Sequence, residues 1–185
     1  MINVNDLKNG MTILYEGNIY QVLEFQHVKP GKGSAFVRTK LKNLKTNSTI
    51  DITFNAGIKI EKAHVTKNEL QYLYNQGNLY VFMDNNNYEQ IEINKDKLED
   101  KIKFLKEGLN VLVMNYEGEI IGIDLPEKIS YKVVETEQAV KGNTINGALK
   151  DATIETGYTL KVPLFISEGE EIIVTTRDGK YSSRA

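Results

Sequence analysis

The chain has 185 residues, of which 41% are hydrophobic and 26% charged, and its formal net charge is −2. This composition is typical of a folded globular protein and disfavours disorder. No apolar run reaches the roughly 18 residues of a membrane span, and the N-terminus has no signal peptide, so we expect a cytoplasmic protein. Because the chain has no cysteine and only two histidines, we expect no disulfide, metal site or cofactor.

The N-terminal third is predicted to be a β-meander. Residues 12–28 read as two strands around the turn Glu16-Gly17-Asn18. Residues 34–54 read as two more strands around Thr46-Asn47-Ser48, and the strand-like stretch 56–65 closes the meander.

Short strands continue to the C-terminus, with turns predicted at residues 75–78, 117–118, 168–169 and 178–179. One stretch differs, because Leu98, Ile102 and Leu105 follow a helical spacing. Asn94 is a candidate N-cap and Gly108 a C-terminal stop. We therefore expect an all-β chain with one short helix of about three turns near residues 95–106.

Two places favour domain boundaries, near residues 63–65 and near residues 125–127, where a proline interrupts a strand pattern. The predicted domains are residues 1–64, 65–126 and 127–185. Pieces of about 60 residues are close to the lower size limit for independent folding. We expect small closed barrels, because closure removes exposed strand edges.

Charge differs strongly among these thirds. Residues 1–64 hold nine Lys/Arg and five Asp/Glu, a net charge of +4. Residues 65–126 hold six and eleven, a net charge of −5, and residues 127–185 hold eight and nine, a net charge of −1. The N-terminal third is therefore the part suited to an anionic partner.

The positive charge is concentrated in a window without any acidic residue, from residue 25 to residue 50. Arg38, Lys40 and Lys42 alternate there with apolar or small side chains, so on a strand they share one face. Such a face suits phosphate binding, although a merely solvated sheet face has the same pattern. The other cations of the window are Lys29, Lys32 and Lys45.

Lys32 lies between Gly31 and Gly33, just after Pro30 and before Ser34. The stretch lacks the spacing of a phosphate-binding Walker A loop, and a strand follows it instead of a helix. The glycines permit positive φ and close backbone approach, while proline stiffens the entry to the turn. The sequence thus predicts a lysine at a hairpin tip, either as a functional group or as a solvent-facing residue of the turn.

These residues resemble the bacterial elongation factor P family. The resemblance rests on KPGKGSAFVR at residues 29–38, on KLKNL at residues 40–44, and on a distant second pattern. That pattern is Lys150-x-Ala152-x4-Gly157-x2-Leu160-x-Val162-Pro163-x2-Ile166-x2-Gly169. Two long patterns in the family's order make the resemblance specific, and it extends over the whole chain.

The resemblance implies three small barrels in a tRNA-like arrangement, an SH3-like (KOW-type) N-terminal barrel followed by two OB-folds. It implies a translation factor that binds the ribosome between the peptidyl and exit sites and stimulates peptide bond formation at consecutive prolines. The lysine matching Lys32 is usually extended by an enzyme, so that it reaches the end of the peptidyl-tRNA. The implied partners are the ribosome, peptidyl-tRNA and a lysine-modifying enzyme, with neither membrane nor DNA, and the implied state is a monomer.

The same resemblance marks further candidate contacts and two open points. Gly142, Asn143 and Thr144 correspond to a Gly-Asp-Thr stretch near the exit-site codon, but asparagine lacks the charge of the family's aspartate. Tyr181 and Arg184 match a Tyr-x-x-Arg pattern that contacts RNA, although a tail pair could equally be disordered. The chemistry of the lysine extension stays open, and PGKGSAF favours an aminopentanol group over β-lysine.

Other classes of function fit the sequence less well. A metabolic enzyme would need convergent titratable groups or a cofactor fingerprint, and none is visible, so we expect no enzymatic activity. His27 and His64 are expected to be half-buried structural residues instead of proton shuttles. A general OB-fold RNA-binding protein would explain the barrels and the basic strand but not the lysine tip. A close paralogue of elongation factor P is the remaining alternative.

Overall fold

The computed structural model describes residues 1–138 and 147–185, and these form three β-sheets with short 3-10 helical segments. The expectation of a chain built almost entirely from strands is confirmed. Within the described part of the chain, no helix is long and apolar enough to cross a membrane.

The first sheet has six strands in the order β1-β6-β2-β3-β4-β5. Its strands are β1 Ile2–Asn3, β2 Thr12–Tyr15, β3 Asn18–Val28, β4 Phe36–Asn43, β5 Thr49–Asn55 and β6 Lys59–Lys62. Glu16 and Gly17 both have positive φ, 48° and 76°, which is the conformation of a tight hairpin turn between β2 and β3. The predicted meander of this third is confirmed.

Apolar side chains from all six strands of this sheet pack in its core, Ile2 of β1 being only partly buried, together with Val4 and Leu7 at the N-terminal 3-10 turn. Buried and accessible positions alternate along β4, as the period of two predicts for a strand with one face inward. The fully or almost fully buried members are Val4, Leu7, Ile13, Tyr20, Val22, Val37, Leu41, Phe54 and Ile60.

The second and third sheets have five strands each. The second has the order β11-β10-β7-β8-β9, with β7 Thr66–Gln76, β8 Leu79–Met83, β9 Gln90–Asn94, β10 Asn110–Tyr116 and β11 Glu119–Asp124. The third has the order β14-β13-β12-β15-β16, with β12 Lys128–Thr136, β13 Leu149–Ile154, β14 Thr159–Pro163, β15 Glu171–Thr175 and β16 Lys180–Arg184. Numbered within each sheet, both follow the order 3-2-1-4-5, so one topology occurs twice although no repeat is visible in the sequence.

The predicted helix near residues 95–106 is not a continuous α-helix. It consists of two 3-10 segments, Lys95–Lys97 and Glu99–Phe104. The Asn94 side chain caps the first segment, as predicted, by accepting from the Asp96 amide. Glu99 has a φ of 46°, and a left-handed residue at this position interrupts a regular helix. Gly108 does not end the helix, which stops at Phe104.

By compactness the chain divides into two units, residues 1–68 with 113–122, and residues 69–112 with 123–185. In the first unit, Met114 and Ile121 of the β10–β11 hairpin pack in one apolar cluster with Ile19, Leu44 and Ala63. The hairpin side chains therefore complete the apolar packing of the N-terminal sheet.

In the second unit, a side chain of the 3-10 segment enters the core of the third sheet. Phe104 is 3% exposed and belongs to the same buried cluster as Tyr131, Val133 and Ile154. The Tyr131 hydroxyl donates to the Phe104 carbonyl at 2.5 Å. Burial raises the pKa of Tyr131 well above its ordinary value, so this hydroxyl keeps its proton.

We expect Tyr131→Phe to lower the free energy of unfolding by about 1–3 kcal/mol, because the buried Phe104 carbonyl loses its donor without a change of side-chain shape. Urea unfolding followed by circular dichroism measures this loss. Tyr74→Phe is the matched control, since the Tyr74 side chain is 47% exposed. Equal stability of the two variants would contradict the prediction.

Candidate nucleic-acid interface

The residues around Lys32 form the tip of the long hairpin made by β3 and β4. Val28 and Phe36 are the last paired residues, so residues 29–35 connect the strands. Each residue from Lys29 to Ser34 is exposed. Since Lys32 is four residues beyond Val28, its backbone lies at most about 14 Å from the last strand pair. The sequence correctly predicted that the fold presents this lysine on a bare loop.

A backbone hydrogen bond holds the C-terminal end of the loop at Ala35, while the residues around Lys32 are exposed to solvent. The Ala56 amide donates to the Ala35 carbonyl at 2.9 Å, which joins the loop to the turn after β5. Gly33 has a φ of 106°, so a residue with a side chain would be strained there. Apart from Gly31 itself and its two chain neighbours, no atom lies within 4 Å of the position that a Cβ would take at Gly31, and its φ is not positive. Only Gly33 therefore uses the backbone freedom predicted for both glycines.

The basic face of β4 is arranged as the alternation predicts. Val37, Thr39 and Leu41 point inward and are buried. Arg38 and Lys40 are exposed on the opposite face, and Lys42 is half-buried there. The Arg38 guanidinium lies 5.4 Å from the centre of the Phe36 ring, which restricts its motion. That these cations contact RNA stays a prediction.

Acidic side chains that are distant in sequence lie close to this face. Glu24 of β3 and Asp51 of β5 are directly opposite Lys40 on either side. At the end of the strand run, Lys45 forms an ion pair with Glu119 at 3.5 Å. The acid-free window thus exists in the sequence only. Glu24 and Asp51 flank that window, and strand pairing of a meander is the signal that could have placed them beside its centre.

Of the remaining candidates, Tyr181 and Arg184 lie in the ordered strand β16 instead of a disordered tail. Tyr181 is half-buried against the core of the third sheet. The Arg184 guanidinium lies 3.4 Å from a Glu170 carboxylate oxygen and 4.7 Å from the centre of the Phe165 ring. Its charge is therefore partly engaged within the chain. Gly142, Asn143 and Thr144 lie outside the described residues.

The two histidines differ from their prediction, because both are exposed rather than half-buried. The His27 ring meets the Phe25 ring edge-on, with 5.7 Å between ring centres. His27 is next to the last residue of β3, and His64 lies beyond the end of β6, so both are at strand ends that are open to solvent. Among the described residues, no group of three or more His, Cys, Asp or Glu is placed to hold a metal ion.

Comparison with known proteins gives one consistent result along the chain. The family model of the elongation factor P (EF-P) KOW-like domain matches residues 3–60, and that of the elongation factor P (EF-P) OB domain matches residues 65–123. The model described as elongation factor P, C-terminal, matches residues 129–184. The elongation factor P of Moorella thermoacetica is 52% identical over 185 residues, which cover all of both chains.

Among solved structures, the protein described as eukaryotic translation initiation factor 5A from Methanococcus jannaschii has a TM-score of 0.53 and 23% identity. The likeness covers 67% of this chain and 93% of that one, and it concerns the fold alone.

A KOW-like sheet that carries a lysine hairpin, followed by two sheets of OB topology, defines a translation elongation factor. The chain belongs to the elongation factor P family, which the three consecutive matches and the full-length identity show. Membership of this family implies interaction with the ribosome and with tRNA. The division into domains 1–64, 65–126 and 127–185 remains a proposal, because compactness divides the chain differently.

Proposed function

We propose that this protein binds the ribosome between the peptidyl and exit sites and stimulates peptide bond formation when consecutive prolines stall synthesis. The observation that carries the proposal is the exposed Lys32 at the tip of the β3–β4 hairpin, with Lys29 on the same loop and Arg38 and Lys42 along the strand that follows it. A thin cationic tip is suited to a crowded RNA centre. The protein is not itself an enzyme in this scheme, since catalysis belongs to the ribosome.

The physical reason for such a factor lies in proline itself. Its secondary amine and fixed φ hinder the geometry in which the new bond forms. Holding two reactants in a reactive orientation can supply several kcal/mol of the barrier without any acid, base or nucleophile. A tip that contacts the end of the peptidyl-tRNA therefore accelerates the reaction by orientation alone.

We also propose that a cytoplasmic enzyme extends Lys32, and that the chain acts as a monomer. The exposure of the whole segment from Lys29 to Ser34 supports this, because a modifying enzyme needs access to the ε-amine and to the backbone around it. In the same scheme Gly142, Asn143 and Thr144 lie near the exit-site codon, and Tyr181 and Arg184 lie near ribosomal RNA.

Protein purified from its native host is expected to exceed the mass of its sequence, with the whole excess on the peptide that contains Lys32. The same chain from a host without the modifying enzyme should have the mass of the unmodified sequence and serves as the control. Intact-mass measurement followed by peptide fragmentation locates the group. A native protein of unmodified mass would contradict the proposed extension.

A further inference from the structure

On the outer face of the N-terminal sheet, the net charge alternates from one cross-strand row of β3, β4 and β5 to the next. Register places the three cations of β4 in three cross-strand rows. The rows are Gln26–Arg38–Thr53, Glu24–Lys40–Asp51 and Gln21–Lys42–Thr49. Their formal charges are +1, −1 and +1, because only the middle row contains carboxylates. A uniformly basic strand in the sequence is thus a striped face in the structure.

The middle row is unsuited to a phosphate. Directly opposite side chains in an antiparallel sheet have Cβ atoms about 4.5–5.5 Å apart. A phosphate that approaches Lys40 therefore meets Glu24 and Asp51 at a similar distance, and the row as a whole repels it. All three side chains are exposed, so they can adjust to one another on the surface. The two carboxylates opposite Lys40 therefore offset its charge toward an approaching anion.

The outer rows are suited to a phosphate. Arg38 is flanked only by uncharged Gln26 and Thr53, and its guanidinium is already held over the Phe36 ring. A groove of about 380 Å³ runs along the first two rows and leaves room beside Arg38 for a sugar–phosphate group. Lys42 is likewise flanked only by uncharged side chains. Both cations are free to replace counterions on RNA.

We propose that β4 contacts an RNA backbone at two points, Arg38 and Lys42, and that the Glu24–Lys40–Asp51 row keeps phosphates out of the space between them. The two cations are four residues apart on one strand, which corresponds to about 13 Å. The face therefore accepts two phosphates at that separation and disfavours a continuous run of them. Repulsion of this kind gives specificity against other polyanions. The proposal rests on the proposed function, since it assumes that the ribosome-bound RNA is the ligand.

The test measures binding of the full-length chain to purified bacterial ribosomes, with tRNA in the peptidyl site, over a range of salt concentrations. Each phosphate contact adds roughly 0.7–0.9 to the slope of log affinity against log salt. Arg38→Gln and Lys42→Gln should each reduce the slope by about that amount. Over a threefold rise in salt, the affinity of each variant should then fall roughly two- to threefold less than that of the wild-type chain.

Two double variants separate the middle row from the outer rows, and only the first of them keeps the charge of the row. Glu24→Gln with Lys40→Gln leaves the row at −1, so the slope should stay at the wild-type value. Glu24→Gln with Asp51→Asn frees Lys40 and should raise the slope by roughly 0.7–0.9. The control for the second variant is Glu69→Gln with Glu92→Gln, which removes the same charge from exposed positions far along the chain and should leave the slope unchanged.

Unfolding can weaken ribosome binding but cannot strengthen it. The increased slope expected for Glu24→Gln with Asp51→Asn therefore tests the proposal even if another variant is unstable. A reduced slope for Glu24→Gln with Lys40→Gln would show that Lys40 binds phosphate and would overturn the two-point contact. So would an unchanged slope when both carboxylates are neutralised. Absence of salt-dependent binding by the wild-type chain would instead overturn the proposed function.

Discussion

Lys32→Arg is expected to retain the fold and to lose most of the rescue of proline-stretch synthesis, roughly 10- to 100-fold in rate. Charge is the same in both side chains. If the tip acted only as a cation beside phosphates, arginine should serve at least as well, because its guanidinium binds phosphate in a bidentate manner. An enzyme that extends the lysine ε-amine has no such amine to act on in arginine, and the unextended side chain cannot reach the end of the tRNA.

The measurement is a reconstituted translation assay on a message with three consecutive prolines. It compares native-host protein, unmodified protein and the Lys32→Arg variant, each shown by circular dichroism to be folded. Lys29→Arg is the matched control, since Lys29 is exposed on the same loop but is not the predicted site of extension. Full rescue by Lys32→Arg would return Lys32 to the role of a simple electrostatic contact.

Phe104→Ala is expected to lower the free energy of unfolding by about 3–5 kcal/mol, the usual range for truncation of a buried phenylalanine. The Phe104 side chain is 3% exposed and packs into the core of the third sheet. Its ring also lies edge-on to Tyr158, with 5.8 Å between ring centres. Truncation would leave a cavity among the strands of the third sheet, which all follow Phe104 in the sequence.

Urea unfolding measures this loss, with Tyr88→Ala as the control. Tyr88 is 71% exposed, so its truncation should change the free energy of unfolding by no more than about 0.5 kcal/mol. If both variants lost the same small amount, Phe104 would be a surface contact and not a core residue.

Local patterns were sufficient to predict the strands of the N-terminal meander and several turns. Glu16-Gly17 and Glu117-Gly118 were identified as turns from composition, and all four residues have positive φ in the structure. The same reasoning failed for the helix, because a helical spacing of leucines fits an apolar face whether or not the backbone is continuous. Nothing in the spacing of Leu98 and Leu105 indicates that Glu99 would adopt a left-handed conformation.

The candidate site was predicted only in part, because a local pattern does not show which distant residues become neighbours. The exposed Lys32 tip and the shared face of β4 follow from the alternation of residues within one segment. The carboxylates beside Lys40 come from strands on either side, so they become neighbours only after strand pairing sets the register. The resemblance to a family supplied the role of the tip, which neither alternation nor charge could have indicated.

The packing of Met114 and Ile121 against Ile19, Leu44 and Ala63 bears on how this protein can be divided in the laboratory. A fragment that stops at residue 64 would keep all six strands of its sheet but would leave those three apolar side chains uncovered. Exposed apolar patches of this kind promote self-association. A soluble fragment or chimaera that carries the β3–β4 lysine hairpin would therefore need to include the β10–β11 hairpin as well. Alternatively, it would need polar residues at the surface that the β10–β11 hairpin covers.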